Sequence, residues 1–275
     1  MWAGAGRSEE LWKYSVATET WEQIVTSGDK PSARWGHAMV AVDNVLWMHG
    51  GETGLSEDSD TGALTSVVSD ELWKFSTTNA TWQRLTFAGG TKPTTDAGCD
   101  HSEEARLSHT MAAAGGDLII FGGVCKYSGS WNFANSVGWT QDIWKYSTVN
   151  ARWEKLLDAI CNGNQCGLPA EAFTAELAIA AVGADIFVHG GVYNNDGHGE
   201  LLDKLWRFST ATATLVEVLT TQPAGEVLAS PAKTRCESAN PGCGLKDHAM
   251  VAVGDVLWMH GGSAVTSVNS VWQGE

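Results

Sequence analysis

The chain has 275 residues, which is enough for a large core within one domain of all-β architecture. Lys and Arg number 17 against 32 Asp and Glu, so the formal net charge is −15. This charge repels phosphate backbones and anionic lipid, and it excludes nucleic acid and membrane surfaces as expected partners. No apolar run approaches the ~20 residues of a membrane-spanning helix, so no membrane insertion is predicted. The first residues also lack the basic-then-apolar order of a signal peptide.

From the N-terminus, the first clear element is a short run around Trp12, with the sequence Leu-Trp-Lys-Tyr-Ser. Similar runs surround Trp73, Trp144 and Trp206, and another begins at Trp272. Nine residues after each of the first three stands a second tryptophan, and from Trp206 the same step reaches Leu215; the tryptophans are Trp21, Trp82 and Trp153. Two apolar runs at this fixed spacing predict a β-hairpin.

Two further strands are predicted between these hairpins. The first follows an Arg-x-x-His or Asp-His motif, at His37, His109 and His248, and has Leu177 in place of histidine in one copy. The second is a run of bulky β-formers that ends at a glycine pair. Glycine has no Cβ and so permits positive φ and a close backbone approach. The pairs are Gly50 and Gly51, Gly122 and Gly123, Gly190 and Gly191, and Gly261 and Gly262.

Each unit therefore contains four short strands, and four-stranded units in tandem are typical of a β-propeller. The glycine pair, the aromatic of the third strand and the tryptophan of the fourth, in this order, resemble kelch repeats. Kelch repeats belong to the propeller group of the galactose oxidase central domain. The resemblance implies a kelch-type β-propeller of four-stranded antiparallel blades. We expect a partial array of about five units, the first and last incomplete, at residues 1–26, 33–86, 105–158, 174–220 and 246–275.

The repeats are longer than the ~50 residues of a kelch repeat. The third-strand tryptophans are separated by 61, 71, 62 and 66 residues, which predicts long loops at 52–69, 124–140, 192–202, 86–105, 158–173 and 220–246. The first three of these loops join the second strand of a unit to the third, and the last three join one unit to the next. Because successive strands are antiparallel, both kinds of loop emerge at the same end of the blades. One face should therefore be decorated by loops while the other has only tight turns, and loops on a rigid scaffold commonly carry function.

The candidate binding site is the loop at 124–140, where four aromatic residues lie outside the repeat pattern. They are Tyr127, Trp131, Phe133 and Trp139. Such residues dominate protein interfaces, and the predicted function is a non-catalytic scaffold that binds another protein through its long-loop face. Two alternatives remain open: the aromatics form a lid over their own blade, or the face binds a glycan.

A copper enzyme like galactose oxidase is a less favoured alternative. The resemblance implies that such a site needs two histidines and two tyrosines, one of them cross-linked to a cysteine. Tyr14 and Tyr146 occupy a repeat position shared with Phe75 and Phe208, so packing explains them. Six of the eight histidines also recur at repeat positions, which indicates packing or hydrogen bonding; besides the three in the first strands they are His49, His189 and His260. The acidic segment 52–60 lacks the ligand spacing of a calcium loop. No cofactor, metal or catalytic residue is predicted.

All six cysteines lie in predicted loops, which is unlike buried reduced cysteines. The simplest of the 15 possible connectivities pairs Cys161 with Cys166, Cys236 with Cys243, and Cys99 with Cys125. Disulfides point to an oxidising, extracellular or lumenal compartment. A cytoplasmic location stays open as the alternative. Zinc is disfavoured because neither close pair has a suitably spaced partner pair.

Overall fold

The computed structural model describes residues 7–57, 62, 64–86, 105–126, 137–140, 142–157, 175–195, 198–218 and 244–263. Within these ranges all regular secondary structure is β-strand. No helix there is long and apolar enough to cross a membrane. The prediction of an all-β chain is confirmed.

The first ten strands cover the N-terminal hairpin, one complete blade and the start of the next. They are β1 (Leu11–Ser15), β2 (Thr20–Ile24), β3 (Ala38–Val42), β4 (Val45–His49), β5 (Glu52–Glu57), β6 (Leu64–Val68), β7 (Leu72–Ser76), β8 (Thr81–Arg84), β9 (Thr110–Ala114) and β10 (Asp117–Phe121). The remaining twelve are β11 (Val124–Lys126), β12 (Val137–Trp139), β13 (Ile143–Ser147), β14 (Arg152–Leu157), β15 (Ala178–Val182), β16 (Asp185–His189), β17 (Val192–Asn195), β18 (His198–Leu201), β19 (Leu205–Ser209), β20 (Thr214–Glu217), β21 (Lys246–Val253) and β22 (Val256–Ser263).

Three of the sheets are four-stranded antiparallel blades. Blade 1 has the order β3-β4-β7-β8, blade 2 has β9-β10-β13-β14, and blade 3 has β15-β16-β19-β20. A two-stranded sheet lies at each end of the array, β1-β2 before blade 1 and β21-β22 after blade 3. These sheets do not close into a ring among the described residues, so the expected partial propeller is confirmed.

Three of the predicted loops contain paired strands instead. Residues 52–69 hold the hairpin β5-β6, residues 124–140 hold β11-β12, and residues 192–202 hold β17-β18. The prediction of loops was wrong there because it rested on the excess of repeat length over ~50 residues, which counts the inserted residues but does not show whether they pair. In β5-β6, Leu55 faces Ser66 and Gly54 faces Val67, a mixture with no apolar period.

The core lies between neighbouring blades. The first strands of the blades pack side by side, β3 on β9, β9 on β15, and β15 on β21. Between blades 1 and 2, the Trp47 ring lies 5.7 Å from that of Tyr146, and between blades 2 and 3 Phe121 meets Phe208 at 5.6 Å. Aromatic contacts at these distances add to the stabilisation from apolar burial. Each blade therefore depends on its neighbour for part of its core.

At one edge of the blades the first strand turns into the second and the third into the fourth. We call this the turn edge, and it contains only tight turns. A threonine after each third strand donates its hydroxyl to a carbonyl in the turn between the first two strands. The bonds are Thr77 to Asn44 at 2.8 Å, Thr148 to Gly116 at 2.7 Å and Thr210 to Ala184 at 2.8 Å. These bonds join the two turns of each blade and make this edge compact.

The buried third-strand tryptophans should contribute most to stability. Trp144 is 1% exposed, whereas Trp12, at the same repeat position in the two-stranded N-terminal sheet, is 48% exposed. We expect Trp144→Ala to lower the free energy of unfolding by about 3–5 kcal/mol through lost burial and a cavity. Trp12→Ala is the matched control and should cost less than about 1 kcal/mol. Urea unfolding followed by far-UV circular dichroism measures both, and equal losses would contradict the packing scheme.

Candidate functional site

The edge of the blades at which the second strands end carries an additional hairpin in each complete blade, and we call it the hairpin edge. Its hairpins are β5-β6, β11-β12 and β17-β18. A main-chain hydrogen bond to the second glycine of the pair closes the base of each hairpin. The bonds run from Ser69 N to Gly51 O at 2.8 Å, from Thr140 N to Gly123 O at 2.9 Å, and from Leu202 N to Gly191 O at 2.9 Å.

Each hairpin is also joined to the segment that leads into the first strand of its blade. In blade 2, Leu107 and Val124 exchange two main-chain hydrogen bonds of 3.0 and 2.9 Å. Trp35 and Glu52 form the same pair of bonds in blade 1, at 3.2 and 2.9 Å. Blade 3 has the equivalent bridge between residues 175 and 192. The bases of the hairpins are therefore fixed to the blades.

The glycine pair is the point where one blade touches the next. Gly50 and Gly51 have φ of 71° and 92°, a region that residues with a Cβ rarely adopt. A Cβ on Gly50 would overlap the carbonyl oxygen of Arg106 in blade 2, and Gly51 donates its N–H to that oxygen at 2.9 Å. Gly190 has the same relation to the Leu245 carbonyl. The pair thus allows adjacent blades to meet backbone against backbone.

A buried arginine holds the glycine pair of blade 2 in place. Arg106 is fully buried and donates to the Gly122 carbonyl at 3.0 Å. It also forms a two-pronged ion pair with Asp142, with distances of 2.8 and 3.1 Å. Asp142 in turn accepts a hydrogen bond from Trp144 Nε1 at 2.5 Å. Two-pronged arginine–carboxylate pairs fix geometry as well as charge, so this set, the arginine brace, fixes the start of the third strand relative to the end of the second.

Blade 1 repeats the arginine brace with a different acid. Arg34 donates to the Gly50 carbonyl at 2.9 Å and to Glu71 at 2.8 Å, and Trp73 Nε1 donates to Glu71 at 2.9 Å. Burial acts to raise the pKa of the Glu71 carboxyl, but the hydrogen bonds from Arg34 and Trp73 lower it overall. Glu71 is therefore held in its charged form.

Blade 3 lacks the arginine brace. Lys204 occupies the position of Asp142, and its ammonium group lies 5.7 Å from the centre of the Trp206 ring. Trp206 Nε1 has no hydrogen-bond partner among the described residues. The sequence analysis assigned no role to the two arginines. The sequence does carry a signal for this role. Arg34 or Arg106 precedes the first strand in the two blades whose third strand follows an acidic residue, and blade 3 has neither the arginine nor the acid at these positions.

Pairs of buried histidines join the blades just below two of the glycine pairs. His49 Nδ1 lies 3.1 Å from His109 Nε2 across the contact between blades 1 and 2. His189 Nδ1 lies 3.0 Å from His248 Nε2 where blade 3 meets β21. All four side chains are buried. Four of the six repeat-position histidines therefore pack and hydrogen-bond across blade contacts.

Burial lowers the pKa of these histidines. The pKa of His49 falls to about 3, first because of burial and then because of the positive charges of Arg106 and Arg34. That of His189 falls to about 4, through burial and the neighbouring His248, although Asp203 acts in the opposite direction. The rings are therefore neutral at physiological pH.

Several large apolar side chains are exposed on the described part of the hairpin edge in blade 1. Leu55 is 53% exposed, Val67 40% and Trp35 39%. Beside them, the buried carboxylate of Glu52 is paired with Arg7. The exposed positions combine one aromatic ring with aliphatic side chains, a composition that suits contact with a protein chain.

Most of the predicted binding residues lie outside the described ranges. This applies to Tyr127, Trp131 and Phe133. Trp139 lies in β12, where its backbone pairs with Val124 at the base of the second hairpin, but its side chain is not among those described. The proposed aromatic site therefore stays a prediction, although its segment does belong to the hairpin edge.

The predicted disulfides have the same status. Cys99, Cys161, Cys166, Cys236 and Cys243 lie outside the described residues. Cys125 lies in β11 opposite Gly138, and its side chain is not described. Among the residues that the structure does describe, no group of three or more His, Cys, Asp or Glu could hold a metal ion.

Comparisons with known proteins give consistent results. The profile of the KLHDC2/KLHL20/DRC7 Kelch-repeats domain matches residues 2–226. The chain is 25% identical over 270 residues to human Kelch domain-containing protein 10, covering 98% of this chain and 50% of that protein. It is 28% identical over 189 residues to mouse Multiple epidermal growth factor-like domains protein 8, covering 68% of this chain and 6% of that protein.

A solved structure, that of YjhT, superimposes on 92% of this chain and 66% of its own length, with a TM-score of 0.58 and 13% sequence identity. This similarity shows the fold alone. The chain spans half the length of Kelch domain-containing protein 10 and a small part of the epidermal growth factor-like protein.

The close contact at the first glycine gives a specific prediction. Gly50→Ala should destabilise the protein by more than about 2 kcal/mol. The added Cβ would overlap the Arg106 carbonyl oxygen and would lie 2.7 Å from the His109 ring. Gly183→Ala is the control, since its φ is also positive, at 63°, but a Cβ there meets nothing within 4 Å. The control should show only the backbone strain of about 1–2 kcal/mol. Thermal unfolding of both variants measures the difference, and equal melting temperatures would refute the close contact.

Proposed function

Because the chain belongs to the kelch-repeat family of β-propellers, we propose that it is a non-catalytic binding module that engages another protein through the hairpin edge. The observation that carries this proposal is the asymmetry between the two edges of the blades. One edge has only short turns joined by threonine hydroxyls, whereas the other extends a hairpin from every complete blade.

The hairpins combine a rigid base with paired segments of different length. Main-chain hydrogen bonds to the glycine pair and to the first-strand segment hold each base in the same way in three blades. The paired segments differ in length, from β5 with six residues to β11 with three. A constant framework that presents different segments is the usual arrangement of a binding surface, since recognition needs variation while orientation needs rigidity.

The exposed side chains favour protein over glycan as the partner. Leu55 and Val67 are aliphatic and offer no flat ring for a sugar to stack on, whereas both suit burial against a peptide side chain. Trp35 adds an aromatic residue of the kind that dominates protein interfaces. Trp139 lies in β12 on the same edge, and we predict that Trp131 adds to the binding surface there.

Panning a displayed library of random peptides against the immobilised chain tests this proposal, with a glycan array in parallel. For peptides that are enriched, Trp35→Ala, Trp131→Ala and Trp139→Ala should each weaken binding by about 1 kcal/mol or more, which is roughly fivefold in Kd. Val149→Ala is the matched control, because this residue is 88% exposed and lies on the turn edge. It should leave Kd unchanged.

Three outcomes would contradict the proposal, and a fourth would contradict the aromatic site alone. Peptide binding that survives all three tryptophan substitutions would remove the hairpin edge as the binding surface. Sensitivity to Val149→Ala would move the site to the turn edge. Binding to glycans on the array, with no peptide enriched, would indicate that the partner is a glycan and not a protein. Unfolding of Trp131→Ala and Trp139→Ala, seen by circular dichroism, would identify the aromatic segment as a structural lid.

A further inference from the structure

The contacts between successive blades, which we call seams, are of two chemical kinds. At the first seam, between blades 1 and 2, His49 at the end of β4 meets His109 just before β9, with the ring centres 5.0 Å apart and the rings nearly perpendicular. At the third seam, between blade 3 and β21-β22, His189 and His248 have the same arrangement, also at 5.0 Å.

The second seam, between blades 2 and 3, has an apolar pair at these positions. Phe121 ends β10 as His49 ends β4, and Leu177 precedes β15 as His109 precedes β9. Both pack in one hydrophobic cluster with Ile186 and Phe208. The two members of the pair are therefore replaced together, which indicates that either pair fills the same space and that the histidines act there as neutral rings.

Among the described residues, the first seam has no acceptor for an added proton. At the third seam the His189 ring has a hydrogen bond to the Asp203 backbone, whereas the second nitrogen of His248 has no acceptor among the described residues. Each pair uses one ring nitrogen from each histidine for the mutual hydrogen bond. The other nitrogens of the first pair, His49 Nε2 and His109 Nδ1, have no hydrogen-bond partner among the described residues, and neither has His248 Nδ1. A protonated imidazole donates from both nitrogens, so protonation would leave a buried N–H⁺ without an acceptor, at high cost.

The charges around the first seam disfavour protonation further. Arg34 and Arg106 act on His49, and His109 is affected by Arg106 and by His37, which precedes β3. At the third seam, burial lowers the pKa of both histidines, while Asp203 beside His189 and Asp247 beside His248 partly oppose the shift. Lys246, next to Asp247, is engaged by Glu176 at 2.7 Å.

We propose that the first and third seams are acid-sensitive joints, at which neighbouring blades separate when the buried histidine pairs become protonated, while the second seam stays closed. The acid response follows from proton linkage between the closed and open states of a seam. An opened seam exposes its histidines to water, where they bind protons near the ordinary pKa of about 6.5.

The direction of the pH dependence follows from the folded pKa values, about 3 for His49 and about 4 for His189. Because the open state binds more protons than the closed state below about pH 6.5, the closed seam is fully stable above that pH. Its stability then declines as the pH falls toward the folded pKa.

Hydrogen exchange of the intact chain, followed by mass spectrometry from pH 7.5 to pH 4.5, tests this inference. After correction for the intrinsic exchange rate, the opening equilibrium of a histidine seam should rise by up to about tenfold per pH unit for each proton taken up. The informative amides are Gly51, which donates across the first seam to Arg106 O at 2.9 Å, and Gly191, which donates across the third to Leu245 O at 2.8 Å. The amide of Glu176, which donates to Ser108 O at 3.5 Å across the second seam, reports that seam, whose opening should change less than about twofold.

The second seam supplies the matched variants. The double substitution His49→Phe and His109→Leu installs the Phe121 and Leu177 pair at the first seam, and it should remove the acid response there while the third seam still responds. The variant His189→Phe with His248→Leu should give the reverse result and serves equally if the first variant fails to fold. An acid response that persists in a substituted seam, or a second seam that opens in parallel with the others, would overturn the inference.

Discussion

The contact between a glycine and the backbone of the next blade is the constraint on which the rest of the structure depends. Gly50 and Gly190 leave no space for a Cβ because a carbonyl oxygen of the following blade occupies it. This approach lets the first strands of adjacent blades pack side by side, with the large apolar side chains of the second and third strands enclosed between them. With the first strands packed in this way, the space between blades is enclosed and excludes water, which makes aromatic burial there favourable.

The same exclusion of water explains why the buried polar groups in and between the blades are replaced as sets. Removing one member of a buried ion pair leaves an uncompensated charge, at a cost of about 3–5 kcal/mol. Arg106, Asp142 and Trp144 occur together, and blade 3 changes both the acid, to Lys204, and the environment of Trp206. The histidine pairs follow the same rule, since the second seam replaces both members by apolar residues. Each blade contact is therefore a unit that tolerates joint replacement better than single substitutions.

These constraints act on the bases of the hairpins, and the paired segments beyond the bases differ between blades. The glycine pairs, supported by an arginine brace in blades 1 and 2, fix where each hairpin starts and ends. Exposed apolar residues such as Leu55 are accordingly tolerated there. A repeat fold can thus keep its internal contacts constant while its binding surface differs from blade to blade.

The sequence by itself determined the strand repeat, the glycine pairs and the tryptophan spacing, because these features recur at fixed positions and each reflects a local backbone or packing requirement. It therefore predicted the four-stranded blades and their order. Only the tertiary structure decided what residues far apart in the chain do together. His49 and His109 are 60 positions apart, and nothing local in the sequence indicates that the two rings share a hydrogen bond. The hairpins β5-β6, β11-β12 and β17-β18 were equally hidden, since a strand shows a side-chain period only where one of its faces is buried, and Leu55, Ser56 and Glu57 of β5 are all exposed.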